Sequence, residues 1–168
     1  TVTQVESIDH FRSILDDLDR LTRAVSMLEA VDQLAQEREP NTRLYQMLLG
    51  ALRSLAADDP ALVVPAFFLK AMALEGYRPQ VEVCVGCGEP GPLVAFDPES
   101  GGLLCASCRR GQAVSAESVD LLQRILGGGL TGALAVPASS ATREVDQLAT
   151  RALEHYLERR LRSVSLGL

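Results

Sequence analysis

The chain has 168 residues, of which 47% are hydrophobic but only 4% aromatic and none Trp, and its 22 acids against 16 bases leave a net charge of −6. A chain of this size is one domain, or a domain carrying a small subdomain, and its core must be packed from Leu, Val and Ala, which suits a helical bundle. The acidic balance excludes a stand-alone nucleic-acid binder with a broad basic footprint, and no run approaches the ~18 apolar residues that a membrane-spanning helix needs.

The charge is uneven: −5 over residues 1–60, −1 over 61–114 and zero over 115–168. Thr1 to Glu6 alternates polar and apolar like a strand, too short to stand without a partner. It reads either as a frayed terminus or as the last strand of a preceding domain. No charged-then-apolar leader precedes the first helix, so the expected location is cytoplasmic.

From Asp9 the period becomes helical. Phe11, Ile14, Leu15, Leu18, Leu21, Val25, Leu28, Val31 and Leu34 recur at threes and fours to about Gln36, with Asp16, Asp17 and Asp19 marking a break between two helices. Glu39-Pro40-Asn41-Thr42 stops that pattern and starts another, with Asn41 as N-cap and Leu44, Met47, Leu48, Ala51, Leu52 and Leu55 on one face. Asp59 and Pro60 then read as the cap and first position of a helix that is apolar nearly all round from Leu62 to Leu74, hence central and buried. Pro65 should kink this helix or mark its true start, and Gly76 should end it.

Residues 81–111 are of a different kind. They hold all four cysteines, as Cys84-x-x-Cys87 and Cys105-x-x-Cys108 with 17 residues between the pairs. Two residues between cysteines let one tight turn aim both sulfurs at a point, and two such turns joined by a hairpin supply the four thiolates of a tetrahedral structural zinc. Leu93 to Phe96 and Leu103 to Cys105 read as the strands of that hairpin, while Gly88 and Gly111 stand where the turns need positive φ. One structural Zn2+ is therefore expected at Cys84, Cys87, Cys105 and Cys108. A reducing compartment disfavours two disulfides, and neither pair opens a helix in a βαβ context as a thioredoxin-type dithiol would. An iron–sulfur cluster would use the same four ligands, so spacing does not choose between zinc and iron. A closed four-thiolate site has no open position for water, which makes the metal a staple of the ribbon and not a catalyst.

Helices resume at Ser115, a cap, and run until Gly127-Gly128-Gly129. A loop holding Pro137 leads to Ser139-Ser140 and a long last helix with a stripe of Val145, Leu148, Ala152, Leu153, Tyr156, Leu157 and Leu161. The fold class expected is mainly α: a helical bundle over 8–80 and 112–168, with a four-cysteine zinc ribbon inserted at 81–111.

No nucleophile motif, phosphate-binding loop or acid–base pair emerges, and His10 and His155 read as lone surface or cap residues. The chain is therefore expected not to be an enzyme. Lys70 stands out, because it lies in the most apolar helix, flanked by Leu69 and Ala71. Its ordinary role is to carry its ammonium to the edge of a core; its functional role would be a cation at the rim of an apolar groove suited to an acidic, hydrophobic peptide tail. Arg78 is a second cation near the end of the same helix. Arg151, Arg159, Arg160 and Arg162 give the last helix a basic tendency that Glu154 and Glu158 soften.

Arg43 to Leu49, then Val64-Pro65-Ala66-Phe67-Phe68-Leu69-Lys70 running to Tyr77-Arg78-Pro79, followed by the Cys84–Gly88 knuckle, Phe96-Asp97 and the Gly101 to Cys108 return, resemble the RecO family of bacterial recombination mediators. The resemblance extends over about residues 1–162. It implies a helical domain with a zinc ribbon, preceded by an OB-fold of about eighty residues of which residues 1–7 would be the last strand. It further implies a non-enzymatic role in loading RecA recombinase on strands coated by single-stranded-DNA-binding protein, and in annealing strands. The helical domain would dock that protein's acidic C-terminal tail, giving Lys70 and Arg78 a role, while the OB-fold would supply most contact with DNA and with the partner RecR. The alternative from the residues alone is a helical zinc-ribbon scaffold joining protein partners, with no nucleic-acid role.

Overall fold

The computed structural model describes residues 9–35 and 40–165, with side chains through Glu158. The expected strand at residues 1–7 lies outside the described residues, as do the side chains of Arg159, Arg160, Leu161 and Arg162.

The order of elements is α1 (Arg12–Leu15), α2 (Leu18–Leu34), α3 (Thr42–Ala57), α4 (Val63–Leu74), β1 (Leu93–Asp97), β2 (Gly102–Cys105), β3 (Gln112–Ala113), α5 (Ala116–Gly127), α6 (Leu130–Leu134) and α7 (Ser140–Ser165). The fold is mainly helical with one small antiparallel sheet, as the sequence predicts. The acidic break separates α1 from α2, and Asp17 caps α2 by accepting from the Arg20 N–H at 3.0 Å. Asn41 caps α3 in the same way, accepting from the Leu44 N–H at 3.0 Å.

Helix α4 is the axis of the bundle. Nine of its twelve residues are buried, including Phe67, Phe68, Leu69 and Met72, and α2, α3, α5 and α7 all pack against it. It ends at a Schellman motif: the Gly76 N–H reaches the Ala73 carbonyl at 3.2 Å and the Tyr77 N–H reaches the Met72 carbonyl at 2.8 Å, with Gly76 at φ +85°.

The start of α4 differs from expectation. Asp59 is not its cap. Asp59 takes a left-handed φ of +48°, and its carboxylate is engaged by Arg23 of α2 with Arg20 nearby at 3.8 Å. Arg23 also donates to the Pro60 carbonyl at 2.6 Å. These bonds hold Asp59-Pro60 as a turn, and the helix begins only at Val63. Pro65 therefore lies in the first turn, where a missing N–H costs nothing.

Two elements have no counterpart in the expectation. The stretch after the glycines is not only loop, since it winds into the short helix α6, which packs on α5. The sheet also gains a third strand, β3, giving the order β2-β1-β3. In its hairpin Ala95 faces Leu104, Phe96 faces Leu103 and Asp97 faces Gly102, with an irregularity at Val94. Phe96, Leu103 and Leu104 are buried and join the same cluster as α4, α5 and α7. The ribbon is therefore part of the core and not an appendage.

Candidate metal centre and apolar groove

The first knuckle is built by local backbone bonds. The Cys84 N–H donates to the Glu89 carbonyl at 2.7 Å and the Gly88 N–H returns to the Cys84 carbonyl at 2.8 Å, closing a turn that turns Cys84 and Cys87 the same way. The second knuckle closes with the Cys108 N–H on the Cys105 carbonyl at 3.2 Å. The hairpin brings the two together, and Val85 is fixed to β2 through the Leu103 carbonyl at 2.9 Å.

The four sulfurs lie within 4.8 Å of one another, and Cys87 Sγ stands 3.7 Å from Cys105 Sγ. A tetrahedron with metal–sulfur bonds of about 2.3 Å has edges of about 3.8 Å, so the donor set fits a tetrahedral ion such as zinc. Cys84 and Cys105 are buried, Cys108 is half-buried and Cys87 is exposed. The donor chemistry points the same way. The Cys105 backbone N–H and neighbouring amides draw the Cys84 thiol down to about 6. Crowding by the sulfurs of Cys87, Cys105 and Cys84 pushes Cys108 up to about 12. A bound cation would relieve that crowding, because it lets all four ionise.

The far end of the hairpin carries a polar fastening that sequence reasoning missed. The Asp97 carboxylate accepts from the Ser100 hydroxyl, from the backbone N–H groups of Ser100 at 3.2 Å and Glu99 at 3.3 Å, and from Arg110 Nε at 3.0 Å. Burial opposes its charge, but the bonds from Ser100 and Arg110 outweigh that and hold its pKa below the ordinary carboxylate value. Gly111, at φ +75°, lies so close to Phe96 and Asp97 that a Cβ would meet their backbone. The signal available in the sequence was the Asp97-Pro98-Glu99-Ser100 turn, whose first residue is a frequent acceptor from backbone N–H groups further along.

Lys70 is half-buried at the edge of a groove of about 340 Å3 formed by Met47 and Ala51 of α3, Val63, Ala66 and Phe67 of α4, and Leu130 and Leu134 of α6. No side chain among the described residues pairs with it. Arg78 is elsewhere. It donates to Glu82 at 3.2 Å through one nitrogen and 2.5 Å through the other, and to the Leu126 carbonyl at 3.4 Å. The Glu82 hydrogen bond raises its pKa. The structure thus gathers the four cysteines and leaves Lys70 and Arg78 apart, since Arg78 does not line the groove. Sequence reasoning anticipated an apolar groove with Lys70 at its rim but not its walls, because one of them is α6, a helix the sequence pattern does not announce.

Of the remaining candidates, Arg151 of α7 holds Gln112 of β3. His10 is exposed ahead of α1, not on a helix, and His155 is half-buried on α7. No helix among the described residues is long and apolar enough to cross a membrane.

Residues 15–165 match the family model described as "Recombination protein O C terminal". The chain is 42% identical over 170 residues to the DNA repair protein RecO of Frankia casuarinae, covering 98% of this chain and 70% of that protein. It is 37% identical over 171 residues to the DNA repair protein RecO of Thermobifida fusca, with the same coverage of 98% and 70%. With the DNA repair protein RecO of Streptomyces griseus the identity is 38% over 168 residues, covering 96% of this chain and 67% of that protein.

Proposed function

The chain belongs to the RecO family, and on that premise we propose that it serves in DNA repair and recombination as a non-enzymatic mediator. It would help load RecA recombinase on strands coated by single-stranded-DNA-binding protein and promote annealing. In this reading the helical body is a docking platform and the ribbon a structural part of it. One Zn2+ at Cys84, Cys87, Cys105 and Cys108 is the metal proposed. The edge of about 3.8 Å that zinc requires, beside the 3.7 Å found, supports it. With all four positions filled by sulfur, the ion would hold the fold and leave water no place to be activated.

The observation that carries the reading is Lys70 at the rim of the apolar groove between α3, α4 and α6. An apolar slot edged by an unpaired cation suits a peptide that ends in hydrophobic residues and carries carboxylates, such as the acidic C-terminal tail of single-stranded-DNA-binding protein. Arg78 would assist only after releasing Glu82, so its share should be smaller. Contact with RecR and with DNA is assigned mainly to the N-terminal OB-fold expected ahead of this region. The chain's net charge of −6 agrees with that assignment.

Fluorescence anisotropy with the labelled tail peptide tests the groove. Lys70→Glu should weaken binding about ten-fold, equivalent to about 1.4 kcal/mol, and Arg78→Glu by less, with the helical circular dichroism unchanged. An affinity that ignores Lys70→Glu in a folded chain would remove the groove from the function. Metal analysis at one zinc per chain, without the visible absorbance of an iron–sulfur cluster, would settle the ion.

A further inference from the structure

Helices α2 and α7 both pack on α4, and between them they leave a trough of about 520 Å3, on a different face of α4 from the Lys70 groove. Its floor is apolar: Ala30 of α2, Val64 and Phe68 of α4, and Leu153 and Leu157 of α7. Along α2 the lining runs from Thr22 to Gln33, which is about 16 Å, or about three helical turns. With two helices for walls and a third for floor, the trough is a seat in which one more amphipathic helix could lay its apolar face.

The charges around the trough say what kind of helix fits. Glu29 stands on the α2 wall, and Asp146 and Glu154 stand on the α7 wall. None of the three has an ion pair or side-chain hydrogen bond among the described residues. The cations of the lining are already engaged: Arg23 holds Asp59 and donates to the Pro60 carbonyl at 2.6 Å, and Arg143 donates to the Ser139 carbonyl at 3.3 Å. Desolvation raises the Asp146 pKa and Arg23 offsets that only in part, so a cation entering the trough would meet a carboxylate short of partners. The uncommitted charge is thus negative. An acidic tail is repelled here and suits the Lys70 groove instead, and a second copy of the chain carries −6 of its own.

We propose that the trough between α2 and α7 is a docking site for a basic amphipathic helix of a partner protein, with apolar side chains seated on Phe68 and Leu153 and Lys or Arg side chains against Glu29, Asp146 and Glu154. The proposal goes beyond the tail-binding reading and does not rest on it, because Val63, Ala66 and Phe67 line the Lys70 groove whereas Val64 and Phe68 line the trough. Helix α4 would thereby floor two sites of opposite charge preference, able to hold an acidic and a basic partner at once.

The test is fluorescence anisotropy on the 168-residue chain, in about 0.15 M salt so that long-range attraction is screened. The probe is a labelled helical peptide of about four turns, with Leu on one face and Lys on the rest. It should bind at least about ten-fold more tightly than a Leu/Glu or a Ser/Lys counterpart, and Glu29→Lys with Glu154→Lys should weaken it about ten-fold. Asp16→Lys with Glu117→Lys makes the same change in net charge outside the trough and should weaken it by less than about two-fold. Circular dichroism should stay as before, since Glu29 and Glu154 are exposed. On the unchanged chain, the peptide should slow hydrogen exchange in α2 and α7 and leave α3 and α6 alone. Equal binding of the Leu/Lys peptide and either counterpart, equal loss in the two double variants, or protection centred on α3 and α6 would each overturn the proposal. So would a dimer of the chain that Glu29→Lys with Glu154→Lys dissociates, since that result gives the trough to a second copy.

Discussion

Helix α4 and the ribbon that follows it reach the same buried core by opposite means. Along α4 the backbone satisfies itself and nine of twelve side chains are buried, so its stability is spread over many apolar contacts. The ribbon has short strands, turns at both ends and a two-residue third strand. It contributes Phe96, Leu103 and Leu104 to the core, but its own geometry depends on four sulfurs and one carboxylate. The difference teaches where each part breaks. Small substitutions should wear α4 down gradually, whereas the ribbon should fail at single atoms.

The largest expected effect lies at the sulfurs. Cys105→Ser, or removal of the ion by a chelator, should eliminate metal binding and melt the hairpin, because structural zinc supplies on the order of 10 kcal/mol to folding in small peptides. Hydrogen exchange should show β1 and β2 losing protection while α3 and the first turns of α4 keep theirs. Uniform loss across all helices would show that the two regions are not separable even in this limited sense.

The shared core sharpens the comparison from the other side. Leu104→Ala in β2 and Met72→Ala in α4 remove side chains that are both 0% exposed, and each should cost about 2–5 kcal/mol. Since Leu104 belongs to the common cluster, its substitution should lower the thermal midpoint of the helices with metal still bound. A helical midpoint that ignores Leu104→Ala would make the ribbon independent of the body.

The smallest effect expected is at the hairpin fastening. Asp97→Asn should destabilise the metal-bound chain by about 1–2 kcal/mol at pH 7, discounted for the 63% exposure of the Arg110 side chain. The folded pKa of Asp97 lies below its unfolded value, which is about 3.9. Its contribution is therefore complete above the unfolded pKa and is lost as pH falls through the folded one. Denaturant midpoints of the two proteins should differ by a constant amount from pH 8 to about 5 and converge only below about 4. Convergence already near pH 6 would assign the effect to a different group.

Much of this was legible because it is local. Two residues between cysteines define a knuckle whatever surrounds it. Asn41 and Ser115 reach N–H groups only three residues ahead, and α4 ends with the Gly76 and Tyr77 N–H groups bonded to residues three and five positions back. The RecO-type motifs were likewise readable as a linear string. The failures came where a distant residue decides. Asp59 looks like a cap in sequence, but Arg23, 36 residues away, holds it in a turn instead. Strand β3 exists because Val94 of β1 offers its carbonyl to Val114 at 2.9 Å. The groove beside Lys70 needs α3, α4 and α6 together, and the trough between α2 and α7 became visible only once both were seen against α4. The sequence by itself determined the caps of α3 and α5 and the knuckles, since those follow from bonds within one turn, and the buried character of α4, since that follows from its unbroken apolar composition. Tertiary structure alone decided which surfaces remain open, because an open surface is what packing between distant segments leaves uncovered.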